Sequence, residues 1–272
     1  MEIRMLKIGI LQEEFGIKPQ DNVERIGRIL LNSYREADIV ILPEYSMINI
    51  LDGLKPLEVY DKAEFLENSS YLTKISDLAG KLGVKILTHF IEKTIDKPKC
   101  YSSSVLVEPS GRFVKLYSKM HLFDAYGYRE SDFFKPGEKP SIKLNLKSMD
   151  LYVAICYDLR FPELFRTYSF MGAHGVIVQA GWVKGFLKEE ILDKIAVTRS
   201  HENTYYLILV NQTGKLFTGR SGVYNPFGYK EVDLGFKQQY LEHSIDPAVV
   251  EEARNTIPVA KQAMGKWIVK PI

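Results

Sequence analysis

Three side chains that can do chemistry each follow a strand-like run of apolar residues. Glu44 ends the run DIVILP, Lys119 ends GRFVKLYS and Cys156 ends LYVAI. A cysteine attacks a carbonyl carbon best as the thiolate, which a nearby cation and a helix N-terminus favour, and a carboxylate can take the thiol proton. These three residue types together indicate nucleophilic catalysis, whereas each of them alone is more often a packing or surface residue.

The segments around these residues predict an α/β fold. Short β-branched strands alternate with longer amphipathic helices, so helices should cover both sheet faces. Strands are predicted at 6–11, 38–44, 84–92, 175–181 and 204–214, helices at 21–37, 64–83, 162–173 and 187–203, and hairpins at 101–119, 141–156 and 219–235. The hairpins should make the sheets mixed. Because open α/β sheets place their chemistry at the carboxyl ends of strands, the three candidate residues are positioned to converge.

Four sequence blocks resemble those of the nitrilase (carbon–nitrogen hydrolase) superfamily. ILPEYS, YSKMHLFD and ICYDLRFPELFR resemble its three signature blocks and occur in the same order. RESDFFKPG, at 129–137, resembles the segment that carries the second glutamate of the family, here Glu130. SHENTYYLILVNQTG resembles its late helix–strand segment, so that the resemblance extends over roughly residues 5 to 240.

The resemblance implies a four-layer αββα sandwich with two mixed β-sheets, in which the three candidate residues meet at one end of the sheets. It implies that Cys156 is the nucleophile, Glu44 the general base and Lys119 the cation beside the developing oxyanion. Glu130 would hold Lys119 and the substrate in position, and Tyr157 would offer its backbone N–H to the oxyanion. The implied reaction converts an amide into a carboxylic acid and ammonia through a cysteine thioester.

The segment after the cysteine indicates the type of substrate. YDLRFPE, at 157–163, resembles the amidase branch of the family, notably ω-amidase and deaminated-glutathione amidase, whereas true nitrilases usually have Trp-Glu after the cysteine. Members of that branch act on small linear amides that bear a carboxylate. Arg160 is predicted to form an ion pair with Glu163 at the start of the next helix rather than to bind the substrate.

The pocket residues are less clearly indicated. Trp182 lies in a loop whose sequence departs from that of the amidase relatives, so it is either a pocket wall or part of the core. Phe123 and Tyr126 are candidates for the pocket mouth, although aromatic residues near loops are more often packing residues. His121, close to Lys119, is predicted to fix its loop through hydrogen bonds.

Composition places the chain among ordinary globular proteins. Of its 272 residues 46% are hydrophobic and 26% are charged, and the interspersed charges sum to +2, which indicates neither a nucleic-acid nor a membrane partner. Two cysteines and a first apolar run too short for a signal peptide predict a cytoplasmic protein. The five histidines lack zinc-type spacing and no phosphate-binding glycine motif occurs, so neither a metal nor a cofactor is predicted.

A single carbon–nitrogen hydrolase domain is predicted over residues 1–245. Residues 246–272 are predicted to be a tail in which Trp267, Ile268 and Val269 dock on a second subunit of a homodimer or higher homo-oligomer. Two other functions stay open: a catalytically silent binding or scaffold protein of the same fold, and an acyltransferase in which an amine replaces water. Because all four candidate catalytic residues are present, a hydrolase acting on a small-molecule amide is favoured.

Overall fold

The structure is a computed structural model that describes residues 5–266. Within that range the chain forms fourteen β-strands and seven α-helices. The strands are β1 (Leu6–Gln12), β2 (Ile39–Ile41), β3 (Lys85–Lys93), β4 (Cys100–Val107), β5 (Phe113–Ser118), β6 (Asp124–Ala125), β7 (Tyr128–Arg129), β8 (Leu144–Leu146), β9 (Met149–Ile155), β10 (Gly175–Ala180), β11 (Tyr206–Asn211), β12 (Gly222–Tyr224), β13 (Lys230–Asp233) and β14 (Gln239–Ile245). The helices are α1 (Pro19–Ser33), α2 (Pro56–Lys62), α3 (Ser70–Leu82), α4 (Pro162–Phe170), α5 (Lys188–His201), α6 (Pro247–Thr256) and α7 (Val259–Ala263).

Two six-stranded sheets form the centre of the molecule. The first has the strand order β14-β1-β2-β3-β4-β5, in which β1, β2 and β3 are parallel and the other pairs are antiparallel. The second has the order β13-β12-β11-β10-β9-β8, with a parallel centre of β9, β10 and β11. Both sheets are mixed because helical crossovers join the parallel strands, whereas short turns can join antiparallel ones.

The sheets stack face to face, and helices cover both outer faces. Along β2, Ile39 and Ile41 pack in the core that the two sheets share, whereas Val40 and Leu42 pack with the side chains of α1 and α3. Successive side chains of a strand point to opposite faces, so a strand that is buried on both faces is apolar throughout. Helices α4 and α5 cover the second sheet. The predicted four-layer αββα sandwich is therefore confirmed.

Strand β14 was not predicted from the sequence, and neither were the short strands β6 and β7. β14 pairs antiparallel with β1 over its whole length, from Leu6 opposite Ile245 to Gln12 opposite Gln239. Its residues are mostly half-buried or exposed, so they lack the apolar run that marks the inner strands. The pairing makes β14 an edge strand of the first sheet and places β1 in its interior.

Residues 246–266 form the helices α6 and α7, and α6 buries Val250 in the core of this chain. Trp267, Ile268 and Val269, on which the predicted subunit contact depends, lie outside the described residues. That contact, and the domain boundary at residue 245, therefore stay predictions. No helix in the described part of the chain is both long enough and apolar enough to cross a membrane.

Candidate active site

The three candidate residues that follow strands lie together at one end of the sandwich. Glu44 and Lys119 follow β2 and β5 of the first sheet, whereas Cys156 follows β9 of the second. The Lys119 Nζ lies 2.8 Å from Glu44 Oε1, and Lys119 and Cys156 line the same cavity. The exposed fractions are 0% for Glu44, 1% for Lys119 and 9% for Cys156. Stacking of the two sheets therefore brings these groups together almost out of contact with solvent.

The Lys119 ammonium lies between two carboxylates. Its Nζ is also 2.8 Å from Oε1 of Glu130, which accepts a second hydrogen bond from the Tyr45 hydroxyl at 2.8 Å. The other oxygen of Glu130 accepts a hydrogen bond from the Phe123 backbone N–H at 2.6 Å. Among residues 5–266 no group of three or more His, Cys, Asp or Glu side chains is arranged to hold a metal ion, so the cation that these carboxylates share is Lys119.

Groups of the second sheet fix Glu44. The Gly181 backbone N–H donates to Glu44 Oε2 at 2.8 Å, and Gln212 Nε2 donates to the Glu44 carbonyl at 2.8 Å. One residue before Pro43, the Leu42 carbonyl accepts a hydrogen bond from Gln179 Nε2 at 2.6 Å. These polar contacts join the two halves of the sandwich. They set the position of the Glu44 carboxylate relative to Cys156, and the sequence alone did not reveal them.

Cys156 has a backbone conformation that is rare for a residue with a side chain. Its φ is +45°, and it begins the 3-10 turn Cys156–Arg160 that links β9 to α4. The Asp158 carboxylate holds this turn by accepting hydrogen bonds from the Ile155 N–H at 2.9 Å and the His121 N–H at 3.0 Å. His121 Nδ1 also lies 2.7 Å from Asp158 Oδ1, so the predicted structural role of His121 is confirmed.

Replacing Asp158 by alanine should lower the free energy of unfolding by about 3 kcal/mol, because the buried Ile155 N–H and Tyr117 hydroxyl lose their acceptor. Urea unfolding measures this loss, and Asp158→Asn, which keeps one acceptor oxygen, should lose less. The control Asp132→Ala removes a carboxylate whose side chain is 53% exposed and should change stability by no more than about 0.5 kcal/mol. A loss for Asp158→Ala as small as that of the control would contradict this role.

Burial sets the protonation of the site. It raises the pKa of Glu44 above the usual 4.5, and Lys119 opposes this only in part. Burial and then the Glu44 charge raise the pKa of the Cys156 thiol well above its usual value. Burial alone would lower the pKa of Lys119. The negative charges of Glu130 and Glu44 raise it by more, so that pKa lies well above the usual value. At neutral pH the resting site therefore holds a charged ammonium and a neutral thiol instead of a thiolate.

A cavity lies directly beside Cys156. Three of the four residues predicted to contact the substrate line it, namely Phe123, Tyr157 and Trp182. The cavity adjoins a wider outer basin, and Tyr126 lines only this basin, where it is 75% exposed. Trp182 is 4% exposed, so it is at once a core residue and a wall of the cavity.

Arg160 also lines the cavity, which the sequence did not predict. Its guanidinium carbon lies 4.8 Å from the centroid of the Trp182 ring, and its Nη2 is buried without a hydrogen-bond partner in the described part of the chain. Arg160 and Glu163, both described, form no ion pair, so the predicted helix-start pair is wrong. The reason is that α4 begins only at Pro162, which leaves Arg160 in the preceding turn and turned toward the cavity.

Lys188 is a third cation in the cavity wall, in addition to Lys119 and Arg160, and no sequence motif pointed to it. It is the first residue of α5 and is only 7% exposed. Its Nζ lies 3.8 Å from the centroid of the Tyr126 ring. Sequence reasoning missed Lys188 because nothing in the local pattern distinguishes a helix-start lysine that faces a cavity from one that faces water.

Solved structures with the same fold support the architecture. A CN-hydrolase superfamily protein from Xanthomonas campestris has a TM-score of 0.84 and 23% identity, covering 98% of this chain and 100% of that chain. A mutant amidase from Nesterenkonia sp. AN1 has a TM-score of 0.80 and 21% identity and covers 98% of both chains. The latter structure shows covalent addition of the acetamide moiety of fluoroacetamide at its active-site cysteine. At these identities the likeness shows the fold alone.

Sequence relatives agree with the predicted branch. The omega-amidase NIT3 of Saccharomyces cerevisiae is 30% identical to this chain, over 94% of this chain and 92% of its own length. A deaminated glutathione amidase of Synechocystis sp. (strain PCC 6803) is 30% identical over 59% of this chain and 62% of its own length. The family model described as carbon-nitrogen hydrolase matches residues 14–255. Because this family model covers most of the chain and the yeast relative is 30% identical over 94% of it, the chain belongs to the carbon–nitrogen hydrolase family.

Proposed function

We propose that this protein hydrolyses a small linear amide that bears a carboxylate, and releases ammonia and a carboxylic acid through a thioester on Cys156. One observation carries the proposal: the buried Lys119 ammonium lies 2.8 Å from both Glu44 and Glu130, in the wall of a cavity that also contains Cys156. A nucleophile, a base and a fixed cation in one closed site are the groups that acyl transfer requires.

In the first half of the reaction, the Cys156 sulfur bonds to the amide carbonyl carbon and its proton passes to Glu44. Negative charge collects on the carbonyl oxygen beside the Lys119 ammonium, and by family analogy the Tyr157 N–H donates to the same oxygen. Such donors act strongly in a closed site of low dielectric, where removal of one typically costs about 10²–10³ in rate. Glu44 then protonates the nitrogen, the C–N bond breaks, and ammonia leaves a thioester on Cys156.

In the second half, a water molecule attacks the thioester carbonyl and gives a proton to Glu44. The C–S bond breaks, the sulfur recovers a proton from Glu44, and the carboxylic acid departs. Glu44 thus accepts a proton twice and donates a proton twice in each cycle, which requires it to gain and lose protons near neutral pH. The raised pKa of Glu44, caused by burial, suits this task. Glu130 serves a different purpose, because Tyr45 and Phe123 fix it while it orients Lys119.

Arg160 supports a substrate that bears a carboxylate. Its buried Nη2 has no partner in the described part of the chain, although a buried charged donor is costly to leave unpaired. A substrate carboxylate would supply the missing acceptor, and guanidinium groups bind carboxylates with two parallel hydrogen bonds. The relatives named as omega-amidase and deaminated glutathione amidase are in keeping with this substrate class.

Ammonia release from a panel of amides tests the function. We expect succinamate, which carries a carboxylate, to be hydrolysed with a higher kcat/KM than butyramide, its neutral analogue of equal chain length. Mass spectrometry of the quenched enzyme should find the acyl group on the peptide that contains Cys156. Absence of ammonia release from every amide would contradict the proposal. Transfer of the acyl group to an added amine in preference to water would instead identify an acyltransferase.

Replacing Arg160 by methionine should lower kcat/KM for succinamate by roughly 10- to 100-fold. This is the change that corresponds to the free energy of one hydrogen bond to a charged group. Butyramide has no carboxylate, so its kcat/KM should change by less than about threefold. The control Arg129→Met removes an arginine whose side chain is 71% exposed and should leave both values unchanged. If Arg160→Met slowed both substrates equally, Arg160 would have a structural role and the carboxylate would bind elsewhere.

A further inference from the structure

Lys188 stands where the cavity beside Cys156 meets the outer basin. It belongs to the lining of both spaces, whereas Arg160 lines only the inner one. Three aromatic rings surround its ammonium: Nζ lies 3.8 Å from the centroid of Tyr126, 5.7 Å from that of Phe123 and 5.9 Å from that of Trp182. The Lys188 ammonium therefore lies among aromatic rings at the boundary between the two spaces.

Arg160 and Lys188 differ from Lys119, the third cation of the cavity wall, in the acids around them. Within residues 5–266, no carboxylate lies within ion-pair distance of Arg160 or Lys188, while the acids nearest the nucleophile, Glu44 and Glu130, are already engaged with Lys119. Cation–π contacts with the aromatic rings offset only part of the desolvation of an ammonium. The two cations also repel each other, which is unfavourable unless a ligand brings negative charge between them.

Both cations approach the same ring. The Arg160 guanidinium carbon lies 4.8 Å and the Lys188 Nζ 5.9 Å from the centroid of Trp182. One carboxylate close to this ring could therefore interact with both of them. The lining of the cavity is otherwise dominated by apolar and aromatic side chains, so these two groups are the ones able to recognise a charged end of the substrate.

We propose that Lys188 is a specificity-determining residue that binds the carboxylate of the substrate together with Arg160. The inference rests on the proposed function, because it assigns a second carboxylate-binding group to the same site. Burial, and then the charge of Arg160, lowers the pKa of Lys188 below its usual 10.5, as expected for an ammonium that lacks an anion. When a carboxylate binds, Lys188 exchanges part of its contact with Tyr126 for an ion pair.

A structural role for the Lys188 side chain can be separated from this role. Trp182 Nε1 donates to the backbone carbonyl of Lys188 at 3.1 Å, and this contact survives any change of the side chain. Lys188→Met keeps the length and the apolar stem but removes the charge, and Lys188→Arg restores the charge. Lys194→Met is the matched control, because Lys194 lies on the same helix with its side chain 76% exposed.

The test compares kcat and KM for succinamate and butyramide in these variants. Arg160→Met and the double variant Arg160→Met/Lys188→Met are added, so that the unmodified protein, the two single variants and the double variant form a double-mutant cycle. We expect Lys188→Met to raise KM for succinamate roughly 10-fold or more with little change in kcat, and to leave butyramide within about threefold. Lys188→Arg should recover most of the loss. The double variant should lose less than the product of the single losses, because both cations bind one carboxylate.

Two results would overturn the inference. One is an unchanged preference for succinamate in Lys188→Met, and the other is an equal loss for succinamate and butyramide, which a merely structural lysine would give. Losses that multiply fully in the double variant would also count against a shared carboxylate. These results differ from failure of the proposed function, in which the unmodified protein releases ammonia from neither amide.

Discussion

Replacing Cys156 by alanine should lower kcat/KM for ammonia release from succinamate by at least roughly 10⁴-fold, because no other group can form the thioester. The second cysteine offers a matched control. Cys100 is fully buried, and burial raises the pKa of its thiol to about 12. It lies outside the cavity lining, so Cys100→Ala should keep activity within about threefold as long as it folds, which circular dichroism checks.

Alkylation by chloroacetamide measures the same nucleophile without an amide substrate. We expect the Cys156 thiol to react much faster than that of Cys100, even though the pKa of each is raised, because Glu44 is hydrogen-bonded to Cys156 and can take its proton, and because Cys156 lines the cavity whereas Cys100 does not. Glu44→Gln should slow the alkylation of Cys156 by roughly 10²-fold, the usual contribution of a general base. Equal reactivity of the two cysteines, or full activity in Cys156→Ala, would rule out the proposed mechanism.

The convergence of Glu44, Lys119 and Cys156 could be expected from the sequence because each of them follows a strand-like run of apolar residues. An apolar run fixes where a strand lies, and its carboxyl end fixes the edge of the sheet at which the next side chain emerges. Two features of the site did not follow from these patterns. One is the direction in which the pKa of Glu44 shifts: burial raises it, Lys119 lowers it, and the effect of burial is the larger. The other is the set of contacts that Gln179 and Gln212 make across the two sheets.

Residues that depend on distant packing were missed for a physical reason. The spacing of Arg160 and Glu163 suits a helical pair, but the helix begins two residues after Arg160, so the two side chains never share a helical face. Lys188 meets Tyr126 and Trp182 only after separate loops fold over the same cavity. The two residues to which we assign recognition of the substrate carboxylate, Arg160 and Lys188, are therefore ones that local periodicity does not reveal.

Replacing Lys119 by methionine should reduce both stability and activity. Glu44 and Glu130 would then face each other as buried carboxylates without their shared cation, which typically costs about 3–5 kcal/mol in free energy of unfolding. Activity should fall by at least roughly 10²–10³-fold, because the oxyanion loses its fixed positive charge. Urea unfolding and ammonia release from succinamate measure the two effects.

The dependence of that stability loss on pH tests its electrostatic origin. Lys119 lowers the pKa of Glu44, so its removal raises that pKa further above the usual 4.5. A carboxyl whose pKa is higher in the folded than in the unfolded protein binds more protons when folded, and stability then falls as pH rises between these two pKa values. The loss in Lys119→Met should therefore be largest above neutral pH and shrink toward pH 4.5. The control is Lys115→Met, in the strand that Lys119 follows, which breaks a partly exposed pair between Lys115 and Glu92 and should cost no more than about 1 kcal/mol. A loss of equal size for Lys119→Met at both ends of the pH range would mean that packing, and not the buried charge of Glu44 and Glu130, accounts for it.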